Sequence, residues 1–525
     1  MVSGDNSVGF EMPQSGIMEV SMKKQIILLM TDSTRKDMLG CYGIDERMST
    51  PNLDRMAAEG IRYENAYSCQ PVCGPARSAI FTGTFPHSNG MVTNCVPLGA
   101  NVKTVGQRLT DAGIHCGYIG KWHLDGGDYF GLGQCPEGWD ERYWYDMKCY
   151  LEEMTDEDRI KSRNWRTSFN EDMTAEFTYA HKCTDKAVDF IRNFKDEDFF
   201  LTVSYDEPHG PSLCPAPFNT MYEGFRPKDH PGMRDTLEGK PLFQKLWAGP
   251  ALEKSAEEIA APNKPRELFL GSNSFVDHEI GRILDCIDEL MPDALVIFTS
   301  DHGEMMGAHR LSAKNATLYR EVANVPLIVR GGAKGAVCTY PASHIDLTPT
   351  VMDYMGLPIP KLLEGKSMLP QIQDPAVRIN DEVYVEFTRY EVDHDGFGGL
   401  QMMRGIVADD CKLAVNLLDT DELYDMEKDP YEVHNLIDDP AYGERRNELH
   451  DKLLEHMNLT RDMFRGYQWA CRSWRPEKVP KWANDGYTRQ RENEEYEPRQ
   501  MDYDTGLPME EATRIKGKEY KKDTK

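Results

Sequence analysis

Ser68-Cys69-Gln70-Pro71-Val72-Cys73-Gly74-Pro75-Ala76-Arg77-Ser78-Ala79-Ile80-Phe81-Thr82-Gly83 places a thiol just ahead of a proline and a short helical pattern. Proline is tolerated in a first helical turn, where its missing N–H would have no partner, so the spacing predicts a helix that starts at Cys73 and exposes it there. The partial positive charge of a helix N-terminus favours an anion at that end. Arg77 follows four residues later, so its guanidinium can return to the same end. A thiol taken alone is more often a small buried hydrophobe than a nucleophile, and the rest of the chain decides between the two.

Upstream, Ile26-Ile27-Leu28-Leu29-Met30 is a continuous apolar run suited to a strand buried on both faces, with Thr31-Asp32-Ser33 at its carboxyl end. Ligands of open α/β sheets collect at such ends. Downstream, the run from Asp293 to Phe298 repeats the pattern and leads into Thr299-Ser300-Asp301-His302-Gly303-Glu304. Two strands thus deliver Asp32, Asp301 and His302 to one sheet edge, where they can share a cation. Between them the pattern alternates. Helices are expected over 51–60 and 102–111, and a strand over 114–119 runs into Gly120-Lys121-Trp122-His123, where extended backbone would point Lys121 and His123 the same way. A further strand over 199–204 leads to Pro208-His209-Gly210-Pro211, whose prolines hold His209 in a rigid loop. Helical spacing recurs over 267–290 and 345–355, and Ile328 belongs to another strand. Beyond about residue 370, the stretches 382–387, 403–408 and 412–418 alternate like antiparallel strands, with a helix expected over 442–457. The fold class is α/β: a large mixed sheet flanked by helices, joined to a smaller C-terminal antiparallel sheet with its own helix.

The chain has 525 residues, enough for one large domain and a smaller partner. Its 60 Lys and Arg against 87 Asp and Glu give a net charge of −27, which repels nucleic acid and anionic membrane surfaces. An anionic substrate must therefore meet a local cationic pocket. Thirteen scattered cysteines, without paired Cys-x-x-Cys units, read as reduced thiols. The first 22 residues hold no apolar run long enough for a signal-peptide core, and nothing later approaches a membrane span. The expectation is a soluble cytoplasmic protein.

Cys73-x-Pro75-x-Arg77, with Thr82-Gly83 four residues further on, resembles the signature of the formylglycine-dependent sulfatases in the alkaline-phosphatase-like superfamily. The resemblance implies that a formylglycine-generating maturation enzyme oxidises Cys73 to an aldehyde, whose hydrate attacks sulfur. It implies a divalent metal held by Asp32, Asp301, His302 and the modified Cys73. Ser33 stands where many members carry a second acidic ligand and would be a weaker donor. Oxygen donors suit calcium or magnesium and an imidazole admits manganese, so calcium is favoured with manganese as its rival. Gly120-Lys121-x-His123 matches a segment in which the lysine binds sulfate and formylglycine and the histidine contacts the formylglycine. His209 and Lys314 match positions that bind sulfate and protonate the leaving alcohol, and Arg77 adds positive charge. The likeness covers roughly residues 22–465. It divides the chain into an N-terminal extension (1–21), a catalytic domain (22–375), a small sheet domain (376–465) and a partly docked tail (466–525).

The stretch of about 125–170 looks like an insertion rich in aromatic and basic residues, among them Trp144 and Arg163. Aromatic faces can stack on sugars and basic groups can hold a substrate anion, which suggests a carbohydrate sulfate; the alternative is that these aromatics build the insertion's own small core. Trp469, Trp474 and Trp482 in the polar tail suggest docking on a second copy of the chain. The expected activity is hydrolysis of a small sulfate ester. A phosphonate monoester or phosphodiester hydrolase is the alternative within the superfamily, and a sulfated-ligand-binding protein with unmatured Cys73 is the alternative of another class.

Overall fold

A computed structural model describes residues 23–478 and 501–507; the N-terminal extension, Trp482 and most of the expected tail lie outside them. The apolar run beginning at Ile26 forms the middle of strand β1 (Gln25–Asp32), every residue of which is buried. Around it lie β2 (Gly60–Tyr67), β3 (His115–Gly120), β4 (Phe199–Pro208), β5 (Leu295–Ser300), β6 (Asn324–Arg330), β7 (Ala336–Cys338) and β8 (Ala342–Ser343). They make one eight-stranded sheet in the order β3-β4-β1-β5-β6-β2-β7, with β8 beside β2. The strands β3, β4, β1 and β5 run parallel, whereas β6 runs antiparallel to β5 and β2, so the sheet is mixed. In register, Gly120 and Met30 both pair with Ser204, and Thr31 pairs with Ser300. Four adjacent parallel strands therefore end together, and the loops that leave them share one edge.

Alternation along β1 sends Ile27 and Leu29 to one face and Ile26, Leu28 and Met30 to the other. Helices α1 (Pro51–Ala58), α2 (Cys73–Thr82), α3 (Val105–Asp111), α4 (Tyr179–Phe194), α5 (Lys264–Leu290) and α6 (Leu347–Met355) cover both faces. Phe190 and Ile191 of α4 and Phe275, Ile280 and Ile283 of α5 fill the first core. Ile80 and Phe81 of α2 and Leu347 and Val351 of α6 fill the second. The expected helix over 51–60 stops at Ala58 because Gly60 begins β2. An added Cβ at Gly60 would lie 2.2 Å from the Val329 carbonyl oxygen, so only glycine lets β2 and β6 approach there.

Strands β9 (Val383–Arg389), β10 (Leu400–Val407), β11 (Cys411–Asn416) and β12 (Glu422–Asp425) form the antiparallel second sheet. Helix α7 (Gly443–Leu459) packs Leu449, Leu453 and Met457 on one face of it, over Ile406, Leu413 and Leu423. The other face meets Tyr67, Val72 and Leu318 of the large sheet's loops. Two of the tail tryptophans that suggested a second subunit, Trp469 and Trp474, are used within the chain. Trp469 is buried in the α7 core, and the Trp474 Nε1 donates to Asp421 at 2.8 Å.

A buried ionic latch joins the two parts. His87 Nδ1 lies 2.5 Å from Glu386 Oε2 on β9, and Arg404 on β10 pairs with Asp462 and, at 3.6 Å, with Glu386. Arg404 neutralises this cluster, which makes it a salt-bridge network and not a metal site. Burial alone would lower the His87 pKa, but the Glu386 carboxylate outweighs it and raises the value. The latch is complete below the unfolded-state pKa, and its contribution is lost as pH rises through the higher folded value. The melting temperature is therefore expected to fall as pH rises above the ordinary histidine value of about 6.5, and His87→Gln to flatten that slope in thermal unfolding scans.

Candidate active site

Asp32 ends β1 and Asp301 follows β5, which brings two wholly buried carboxylates side by side. Ser33 ties them together. In a left-handed conformation (φ 72°), it donates its hydroxyl to Asp32 Oδ1 at 2.7 Å and its N–H to Asp301 Oδ1 at 3.3 Å. Arg77, one turn along α2, donates Nε to Asp301 Oδ2 at 3.0 Å and reaches Asp32 Oδ2 at 3.4 Å. Its Nη1 donates to the Lys121 carbonyl and to Ser204 Oγ, and its surface is 0 % exposed. The positive charge expected of Arg77 is directed at the two carboxylates it holds.

Lys121 Nζ donates to Asp32 Oδ2 at 2.7 Å and sits 3.0 Å from Asp206 Oδ1. With the Oδ2 atoms taken by Arg77 and Lys121, the Oδ1 atoms face His302. The His302 Nδ1 donates to the Gly303 carbonyl at 2.7 Å, which leaves the Nε2 lone pair directed inward. That Nε2 lies 3.8 Å from Asp32 Oδ1, 3.7 Å from Asp301 Oδ1 and 3.2 Å from Cys73 Sγ. One donor atom from each of Asp32, Cys73, Asp301 and His302 falls within 4.8 Å of the others. Two carboxylate oxygens and a correctly oriented imidazole fit a divalent cation, and Ser33, whose hydroxyl donates to Asp32, is a brace for that set.

Cys73 is the first residue of α2, as the spacing predicts, but it is 1 % exposed and lies at the floor of the site. Burial and Asp32 push its thiol up, yet Lys314, Lys121 and His302 outweigh them and bring it down to about 6. Asp32 is held well below the carboxylate range: burial opposes this, and Lys121, His209, Lys314 and His302 override it. Burial and the neighbouring Asp32 raise Asp301 to about 6. An adjacent pair of unlike carboxylates is what a shared cation would equalise.

Above this floor stand His123, His209 and Lys314. Burial, with the charges of Lys121 and Arg77, lowers His123 to about 3, and its Nδ1 has no hydrogen-bond partner. His209 is lowered to about 4 by burial, Lys314 and Lys121. Lys314 is buried yet its pKa is raised, because Cys73, Tyr390 and Asp32 offset the desolvation. His209, Lys314 and Ser33 line a cleft of about 760 Å³.

Three further residues escaped the sequence reading. Asp206 anchors Lys121 and accepts a hydrogen bond from the Tyr129 hydroxyl, which also lies 2.9 Å from His209 Nδ1. Its signal was available, since it is an acid near the carboxyl end of an apolar strand, like Asp32. Tyr390 reaches the cleft from the end of β9 in the second sheet and gave no signal. Trp144 is a correction: it is 7 % exposed and packs 5.6 Å from Trp122 and 5.4 Å from Tyr118, so its ring builds the core and has no free face for a sugar. Arg163 lies over Phe130 and beside the Gly210 carbonyl, near His209.

This geometry defines an alkaline-phosphatase-like hydrolase, and solved structures share its fold. BT4656 in complex with its substrate D-glucosamine-2-N,6-O-disulfate matches with a TM-score of 0.68 at 22% identity, over 84% of this chain and 98% of that one. The phosphonate monoester hydrolase of Agrobacterium radiobacter matches equally, with a TM-score of 0.68 at 22% identity, over 82% and 95%. The sulfatase family model matches residues 24–357, and that of the N-sulphoglucosamine sulphohydrolase C-terminal region matches 307–459. The chain belongs to the sulfatase family. The sulfatase YidJ of Escherichia coli K12 is 43% identical over 93% of this chain and 97% of its own length. The N-acetylglucosamine-6-O-sulfatase of Bacteroides thetaiotaomicron is 26% identical over 85% and 88%.

Asp206→Asn would loosen both Lys121 and Tyr129, and kcat/KM for an aryl sulfate is expected to fall about 10–100-fold. Trp144→Ala acts on the core instead, with an expected loss of about 3–5 kcal/mol of stability in denaturant unfolding.

Proposed function

We propose that this sulfatase removes sulfate from a small carbohydrate sulfate, using Cys73 matured to formylglycine and one divalent metal. The observation that carries the reading is the convergence of Cys73, Asp32, Asp301 and His302 beneath Lys121 and Lys314. Relatives such as the N-acetylglucosamine-6-O-sulfatase support a sugar as the alcohol. The sulfatase YidJ at 43% identity, against 22% for the phosphonate monoester hydrolase, favours the sulfate reading. Thirteen free thiols support a reducing compartment such as the cytoplasm.

Formylglycine, when formed, supplies a geminal diol, one hydroxyl to bond sulfur and a second to release the sulfate. The metal, held by Asp32, Asp301 and His302 with calcium as the favoured ion, supplies charge that polarises a sulfate oxygen. The remaining work falls to the chain's own side chains. Lys121, fixed by Asp32 and Asp206, and Lys314 hold the sulfate oxygens against their growing charge. His123, neutral at its depressed pKa, can accept a proton from the residue-73 hydroxyl. Tyr129 donates to Asp206, so its oxygen accepts from His209 Nδ1 and leaves His209 Nε2 with a lone pair that can accept a hydrogen bond from the leaving alcohol. Lys314, whose raised pKa keeps it charged, supplies the proton to the leaving oxygen. Burial of Cys73 excludes bulk water from the reacting centre.

The test is peptide mass spectrometry across Cys73 on protein from a host that matures sulfatases, followed by parallel assays on aryl sulfate, aryl phosphonate and phosphodiester. An aldehyde at position 73 and a preference for sulfate are expected, with Lys314→Ala costing about 10²–10³-fold in kcat. A preference for phosphorus esters would overturn the substrate class, and an unmodified thiol would favour a ligand-binding protein.

A further inference from the structure

The cleft above Cys73 is lined by more cations than carboxylates. Besides Lys314 and His209, it is lined by Lys254, Arg266 and Arg310, with Trp247 and Tyr390 as aromatic walls. Arg266, near the start of α5, donates to the backbone carbonyls of Ala261 at 3.3 Å and Ile259 at 3.0 Å. Arg310 donates to the carbonyls of Lys254 and Asp235. Carbonyl oxygens orient a guanidinium without neutralising it. Among the described residues, no carboxylate lies within ion-pair distance of Lys254, Arg266, Arg310 or Lys314, and both arginines end only on those carbonyls. Two acids also line the cleft, Glu258 accepting from Ser255 N at 2.7 Å and Glu304 from Met306 N at 2.6 Å, so Lys254, Arg266, Arg310 and Lys314 outnumber the carboxylates there.

Several arginines elsewhere pair with a carboxylate, as Arg35 with Asp37, Arg47 with Asp45, Arg404 with Asp462 and Arg445 with Asp410, while Arg320 and Arg446, like Arg266 and Arg310, end on carbonyls. Burial lowers the pKa of Arg266, against the opposing charge of Glu304. Half-buried guanidinia without a counter-charge are poised for an anion from outside, and their planar fork matches a carboxylate or a sulfate.

The backbone fixes where these cations stand. Between Glu304 and Lys314, Met306, Gly307, His309, Arg310 and Ala313 all adopt positive φ, between 48° and 97°. Such strain persists only where the surroundings over-determine it. Here His309 stacks on Tyr319 at 3.8 Å and bonds Asp235 at 2.6 Å, and Lys240 braces Asp235 at 2.5 Å. Gly307 packs on the turn that supports Arg266, since a Cβ there would meet Ile259 at 2.7 Å. One braced loop thus carries Arg310 and Lys314 at a fixed separation, with Arg266 against its back.

We propose that Lys254, Arg266 and Arg310 form a second anion subsite, so that the substrate is a sulfate ester whose alcohol carries a further anionic group, a carboxylate or a second sulfate. The proposal rests on the hydrolase reading for which sulfate is cut. It deepens that reading by naming the charge of the other half of the substrate. The cleft, at about 760 Å³, has room for a sugar bearing both groups.

The test separates the two readings. Isothermal titration calorimetry on full-length Cys73→Ala protein, which cannot be matured, compares a monosulfated hexosamine with the same sugar carrying a second sulfate and with a sulfated uronic acid. Matured wild-type protein, with an aryl sulfate as reporter, gives the inhibition constants of the same three ligands. Both doubly charged ligands are expected to bind at least about tenfold tighter than the singly charged one. Arg266→Gln and Arg310→Gln are each expected to shrink that ratio to about one- to threefold. The ratio is read within one protein, so a general loss of folding or of affinity does not imitate the effect, and melting curves confirm folding. A preference for only one of the doubly charged ligands identifies the second anion. Equal binding of singly and doubly charged ligands, or a ratio that survives both substitutions, overturns the subsite. Loss of reporter turnover with the charge preference intact overturns the hydrolase reading alone.

Discussion

Two carboxylates, Asp32 and Asp301, are forced together at the carboxyl edge of the sheet because β1 and β5 are neighbours in register. At an effective dielectric of about 20, like charges about 4 Å apart repel by roughly 4 kcal/mol, before desolvation is counted. Arg77 answers both at once, and it can do so only because α2 places it one turn beyond Cys73. The same ion cluster therefore fixes the helix on the sheet edge and the reactive position at the cluster's open side. Removing any one of these charges would leave the others buried and uncompensated, which explains why so polar a floor sits beneath an apolar sheet.

The second sheet completes the site. Its inner face packs on Val72, immediately before Cys73, and on Leu318, shortly after Lys314. Tyr390 enters the cleft from the end of β9, while the His87–Glu386–Arg404–Asp462 latch holds β9 and β10 against the large sheet. Beneath the strained loop, Lys240, Glu432, Lys412 and Glu422 link Asp235, Tyr319 and β12 into a continuous polar network. The C-terminal strands act as the clamp that sets the outer wall of the cleft.

Periodicity made the strands and long helices legible. The apolar run of β1 and its repeat in β5 located the edge, and the acids after them located the floor. Asp32, Cys73, Lys121, Asp301 and His302, all within a few residues of an element end, fall together in space for that reason. β2 was less legible, since Arg62, Glu64 and Asn65 interrupt its apolar pattern and its start depends on a glycine contact with another strand. Trp144 shows the opposite error. Its composition suggested a binding face, but aromatic residues close to one another in sequence packed on each other first. Tyr390, Arg266 and Arg310 reach the cleft from three separated segments, and their meeting depends on tertiary contacts that no local pattern encodes.

The cations of the site divide by what holds them. Arg77 is locked to Asp32 and Asp301 and its charge goes to holding them in place, whereas Lys121 is oriented by Asp32 and Asp206 at the side where the sulfate enters. Among the described residues no carboxylate forms an ion pair with Lys314, Arg266 or Arg310, which leaves their charge for an entering anion. A chain with net charge −27 repels anions at long range, yet here the field reverses over a short distance. That reversal is itself a selection device, because a ligand gains only where each of its anionic groups finds a waiting cation. A singly charged ester can satisfy the floor and Lys314 but leaves the arginines desolvated and unpaired, and that cost grows with every water it displaces.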